Sequence, residues 1–151
     1  AAAAGIDGCL LTDLSVEEAG PYIAPLRRHN LDTVFLAAPT STPERLKRVA
    51  EYSSGFVYLV SRTGVTGEQA SLSVSVEPLV RAVRQVTPLP LAVGFGISRP
   101  EHAAEVSRLA EGVVVGSAFM RIVEAAGGDP SLEARIEGLA RDLKSAMAPG
   151  R

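Results

Sequence analysis

Five short apolar runs recur along the chain, at 8–13 (GCLLTD), 33–38 (TVFLAA), 56–61 (FVYLVS), 91–96 (LAVGFG) and 112–117 (GVVVGS). Their apolarity is continuous rather than alternating, which predicts strands covered on both faces, as in a parallel sheet. Helical patterns lie between them. Ser15 and Glu18 have the spacing of a capping box, Ser bonding forward and Glu back, so a helix is predicted to start there. Pro21 and Pro25 make that helix irregular, because each lacks an N–H donor. Ser41-Thr42-Pro43-Glu44 opens a second helix, with Leu46, Val49 and Ala50 on one face and Gly55 beyond its end. Leu79, Val83 and Val86 mark a third. Ser98 and Glu101 start a fourth with another capping box, and Leu132, Ile136, Leu139 and Leu143 give a long amphipathic last helix. The opening AAAAG reads as the last turn of a helix stopped by Gly5.

The order is therefore strand then helix, five times over, at the roughly 20–35-residue spacing of βα units. No low-complexity linker divides the units, apart from a weak Gly127-Gly128 turn, so residues 1–151 are read as a single α/β domain. Two architectures share this alternation. One is an open sheet. The other is a partial TIM barrel, because a closed (β/α)8 barrel typically needs about 250 residues and the chain has 151. In the second case the five units are the C-terminal part of the barrel.

Composition narrows the function classes. Hydrophobic residues make up 46% and charged residues 21%, which indicates a globular core. The formal net charge is −2 with the signs interspersed, so the basic stripe of a nucleic-acid-binding protein is missing. The pair Arg27-Arg28 reads as a solvated helix face. Cys9 is the single cysteine and lies in an apolar run, where a small buried core residue is expected. No disulfide or zinc spacing is available, and no metal site is expected. Neither a membrane span nor a signal peptide is apparent, so the cytoplasm is the expected compartment.

In βα proteins chemistry gathers in the loops after the carboxyl ends of the strands. After the third run comes SRTGVTG, with hydroxyls on Ser61, Thr63 and Thr66, a fixed cation on Arg62, and glycines at 64 and 67 that permit close backbone approach. The loop then continues through EQASLSVSVEP, well beyond the usual 2–6 or so residues of such a connection. Both a lid and a plain surface loop fit it. After the fourth run comes Gly94-Phe95-Gly96-Ile97-Ser98, and after the fifth Gly116-Ser117 leads directly into AFMRIVEA. Each step places bare N–H groups at a helix start, where an anion is favoured. Each is also ordinary turn chemistry, but barrels frequently hold a phosphate in the loops after strands seven and eight, beside a short extra helix. Acids and bases are few. Asp13 ends the first run, where it either caps a turn or supplies a carboxylate. His29 and His102 lie at helix ends, and Tyr58 points inward from mid-strand. No Ser-His-Asp order, HExxH or Walker pattern is present.

With these residues in view, the chain resembles the tryptophan synthase alpha subunit family over nearly its whole length. GIDGCLLTDL is similar to that family's fourth barrel strand, LRRHNLDTVFLAAPT to its fourth helix and fifth strand, and FVYLVSRTGVTG to the sixth strand and its closing loop. LAVGFGIS resembles the seventh strand, and EGVVVGSAFMRIVEA the eighth with its phosphate helix. The resemblance implies a TIM barrel lyase of tryptophan biosynthesis that cleaves indole-3-glycerol phosphate to indole and glyceraldehyde 3-phosphate. It implies a heterotetramer with a beta subunit that carries pyridoxal phosphate. No cofactor is expected on this chain.

Position by position, the resemblance puts the phosphate on the backbone of Gly67, Gly96 and Gly116 with Ser117. It puts the indole among Leu10, Tyr58, Phe95 and Val114, the lid functions on Arg62 and Thr66, and a partner contact on Asp13. The family's catalytic Glu and Asp fall before residue 1, so no catalytic residue is expected here and the chain alone is expected to be inactive. Leu14-Ser15 replaces the family's usual apolar-Pro step. Two other readings remain: a non-catalytic phosphate-binding βα module, and another phosphate-binding barrel of tryptophan biosynthesis.

Overall fold

The structure, a computed structural model, describes residues 1–60, 72–94 and 96–147, with residues 72–75 as backbone alone. Five parallel strands form one sheet: β1 (Gly8–Leu10), β2 (Asp32–Ala37), β3 (Val57–Val60), β4 (Leu91–Gly94) and β5 (Gly112–Val114). Their order in space is their order in sequence. Helices α1 (Gly20–Arg28), α2 (Pro43–Tyr52), α3 (Leu72–Arg84) and α4 (Pro100–Val106) connect them, and α5 (Ser117–Ala126) and α6 (Leu132–Ala146) follow β5. This order decides between the two architectures. A doubly wound sheet reverses at a switch point, whereas five units laid down without reversal form an arc of a barrel wall.

Burial corrects one expectation. In β2 consecutive Thr33, Val34 and Phe35 are all buried, as expected of a strand covered on both faces, whereas β3 and most of β4 alternate. Val57, Leu59, Leu91 and Val93 are fully buried, while Tyr58, Val60 and Ala92 between them are partly exposed. The register places Val57 beside Leu91, Leu59 beside Val93 and Tyr58 beside Ala92, so each row of side chains shares a face. The outer row packs with Ile23, Leu46, Val49, Leu79, Val83 and Val106 of the helices. Each such Val or Leu stabilises the fold by about 1.5–3 kcal/mol. The inner row faces the hollow of the arc, which the helices do not reach. Cys9 is likewise only partly buried, because β1 is an edge strand with a neighbour on one side.

The arc is staggered at β2. Its first half pairs with β1 through Gly8–Asp32, Cys9–Thr33 and Leu10–Val34, and its second half pairs with β3 through Phe35–Val57, Leu36–Tyr58 and Ala37–Leu59. Up to the point where β3 joins at Phe35, the residues at and just after the end of α2 substitute. The Thr33 N–H donates to Ser54 Oγ at 3.0 Å, the Phe35 N–H to Ser53 Oγ at 3.3 Å, and the buried Thr33 hydroxyl to the Tyr52 carbonyl. Ser54 Oγ in turn donates to Asp32 Oδ1 at 2.7 Å. Buried polar groups are thus satisfied without a ladder partner.

Helix starts differ from the sequence reading in a consistent way. Ser15 donates to the Glu18 carboxylate at 3.1 Å, but this closes a turn, and α1 begins at Gly20 beside Pro21. The fourth helix is capped by Arg99, not Ser98, because a residue before proline is pushed to extended backbone; Arg99 has φ −138° and ψ 156°. The third helix begins at Leu72, so part of the stretch read as loop is helical, with Pro78 inside it. The AAAAG start is a short 3-10 turn at Ala2–Ala4 ended by Gly5 at φ 78°.

Candidate functional site

At the carboxyl ends of β3, β4 and β5 lies a pocket of about 410 Å³. Tyr58, Gly96, Val114, Gly116 and Ser117 all line it, joined by Ser98 and Arg121. The strands explain the grouping. Tyr58 and Val114 lie on the inner face, since Tyr58 pairs with Ala92 and Val114 with Gly94. The Tyr58 ring then crosses Gly94 so closely that a Cβ there would stand 1.9 Å from the phenol oxygen. Gly94 is therefore required for the ring to lie where it does. Burial raises the Tyr58 pKa above its ordinary value of 10.0, so near neutral pH the phenol is uncharged and is not a base.

Gly116 is a different kind of glycine. It caps α5 at φ −116°, which any residue adopts, and a Cβ there would meet nothing within 4 Å. It leaves open space above the first turn of α5. Among the described residues, the amides of Ser117, Ala118 and Phe119 find no acceptor, and the first return bond is Met120 N–H to the Gly116 carbonyl at 3.1 Å. Three free donors at the positive end of a helix dipole favour an anion. Gly96 has φ 77°, where side-chain-bearing residues are strained, and it is exposed to the same space. The helix start after it is less open than expected: the Ser98 N–H points to His102 Nδ1 at 3.4 Å, and α4 is short.

Two other hollows carry the remaining predicted residues. Leu10 lines a cavity of about 490 Å³ with Cys9, Asp32, Val34 and Phe56, so the structure does not bring it to the Tyr58 pocket. Asp13 is exposed and lines a hollow of about 300 Å³ with Thr12, Ser15 and Arg45, beside the Arg45–Glu17 ion pair of 3.0 Å. No group of three or more His, Cys, Asp or Glu suited to a metal occurs among the described residues. No described helix is long and apolar enough to cross a membrane.

Residues 1–148 match the family model described as "Tryptophan synthase alpha chain". The chain belongs to this family. A tryptophan synthase alpha chain of Solibacter usitatus is 65% identical over 144 residues, covering 95% of this chain and 54% of the relative. One of Geotalea uraniireducens is 46% identical over 147 residues, covering 97% and 55%. Among solved structures, tryptophan synthase of Mycobacterium tuberculosis superposes with a TM-score of 0.83 at 38% identity, over 99% of this chain and 55% of that one. The tryptophan synthase α2β2 complex of Pyrococcus furiosus gives 0.78 at 34%, over 95% and 55%. The chain spans about half the length of the relatives it matches. Its five units have the architecture of the C-terminal part of a (β/α)8 TIM barrel.

Four residues that the family resemblance singles out, Arg62, Thr66, Gly67 and Phe95, lie outside the described residues. Sequence reasoning missed Arg121. The signal was available: it stands four residues after Ser117 in AFMRIVEA, and an i, i+4 pair shares one helix face.

Proposed function

We propose that the pocket holds the phosphate end of indole-3-glycerol phosphate, and that the chain takes part in its cleavage to indole and glyceraldehyde 3-phosphate as tryptophan synthase alpha chains do. The observation that carries this reading is the open first turn of α5 beneath Gly116, facing Tyr58 and Val114 across one pocket. The α5 amides and the Ser117 hydroxyl supply donors for the phosphate. Tyr58 and Val114 supply an apolar wall for the indole, with the phenol left as a neutral hydrogen-bonding group.

This chain's part is binding and orientation rather than proton transfer. Aldol cleavage needs an acid and a base within hydrogen-bond reach of the substrate, and no Asp or Glu lines the described pocket. That same observation favours, as a second reading, a phosphate-binding module without chemistry. Partnership with a beta subunit through the Asp13 side, pyridoxal phosphate on that subunit alone, and a cytoplasmic location belong to the first reading.

Glycerol 3-phosphate titration tests the pocket. Gly116→Val, whose Cβ would enter open space, should abolish binding while leaving the melting temperature near that of the parent; unchanged affinity would refute the site. A steady-state indole assay separates the two readings. The first expects no indole from the chain alone and release when the first three βα units of a family member are supplied in trans. The second expects none in either case.

A further inference from the structure

We infer that Arg121 supplies the charge that matches the phosphate dianion, an inference that rests on the pocket being a phosphate site. The helix start alone is not enough. A phosphate monoester carries about −1.5 to −2 charges at pH 7, while a helix N-terminus offers roughly half a positive charge. Hydrogen bonds from neutral amides therefore leave about 1 to 1.5 negative charges unbalanced. Among the described residues that line the pocket, Arg121 is the single charged one.

Its position follows from the helix. Ser117 is the first residue of α5, and Arg121 follows one turn later on the same face, so both line the pocket. Its guanidinium is uncommitted among the described residues. Arg45, Arg81, Arg84 and Arg141 each hold a glutamate, and Arg27 holds the Glu51 carbonyl, whereas Arg121 holds no carboxylate. Glu124, three residues on, makes no ion pair with it. An arginine suits this task because its planar fork offers two parallel N–H donors to phosphate oxygens and stays charged at any working pH. Being exposed, it acts through a field that salt screens.

The test is calorimetric titration of the full chain with inorganic phosphate, between 0.05 and 0.5 M potassium chloride (roughly, a Debye length falling from above 10 Å to below 8 Å). Arg121→Gln should weaken binding about fivefold at the low-salt end, the scale of an exposed ion pair, and should flatten the salt dependence. Arg121→Lys should keep most of both. Gly116→Val serves as the control for the pocket itself, and matching melting curves show that each variant is folded. If Gly116→Val abolishes binding while Arg121→Gln leaves affinity and salt slope unchanged, the role of Arg121 is overturned and the pocket stands. If neither change affects binding, both are overturned.

Discussion

Two glycines at the ends of neighbouring strands show how one residue type meets opposite demands. Gly94 is occupied space, because the Tyr58 phenol lies where its Cβ would be. Gly116 is empty space, because its Cβ would meet nothing. Gly94→Ala should therefore displace the Tyr58 ring and cost stability, on the scale of about 1–3 kcal/mol for overpacking. Thermal unfolding would register the loss, and Tyr58→Phe in the same background should recover part of it by removing the clashing oxygen. No such recovery would mean that the close approach does not govern this position. A charged residue shows the same local logic. Glu111 is subject to burial, which raises its pKa, but hydrogen bonds from Arg84, the Leu91 N–H and its own backbone outweigh this and hold it below the ordinary 4.5. A carboxylate with a depressed folded-state pKa stabilises the fold above its unfolded value and loses that effect as pH falls through the folded value. Glu111→Gln should then cost about 1 kcal/mol at pH 7, with the gap to the parent closing as pH falls below 4.5 and through the depressed folded-state value. A gap that persists in acid melts would assign the effect to packing instead.

Among the elements, proline decides where helices begin. Thr42 precedes Pro43 with φ −70° and ψ 160°, and its hydroxyl accepts from the Arg45 N–H at 3.2 Å. Here the cap and the proline agree, and Thr42→Ala should cost about 1 kcal/mol in chemical unfolding; a change indistinguishable from zero would show that Pro43 alone fixes the start. This agreement is also why the second helix was legible from sequence. At Ser15 and Ser98 the spacing signals and the prolines disagree, and the prolines prevail. The second half of the third helix was legible from Leu79 and Val83, but its first turns were hidden for a related reason. Pro78 sits inside the helix, and the LSVSVE before it alternates like a strand or loop, so only tertiary packing, with Val76 in the core, settles that part as helix. The strands, the Gly116-Ser117 step and Tyr58 were readable because each is a local pattern. Arg121 was not read because its meaning depends on a pocket that spans three strands.

At the scale of the whole molecule, the arc has two open ends. Exposed large hydrophobic residues gather there: Ile6 and Leu11 flank β1, Tyr22 is on the helix after β1, and Met120 and Val123 are on the helix after β5. Among the described residues, no exposed large hydrophobic lies on β2, β3, β4 or the helices between them. Unpaired strand edges with apolar flanks favour association. The purified chain should sediment as concentration-dependent oligomers, and Leu11→Lys should shift it toward monomer. A parent chain that stays monomeric across a hundredfold concentration range would contradict this.

The alternation of buried and partly exposed positions in β3 and β4 has a consequence for how sequence change is tolerated. Val57, Leu59, Leu91 and Val93 face the helices, and Tyr58, Val60, Ala92 and Gly94 face the hollow. On the proposed reading of the pocket, selection for folding and selection for ligand fall on interleaved letters of the same two words. A library that randomises only the even-numbered positions would sample new specificities on an intact scaffold, with Gly94 the exception that ties one record to the other.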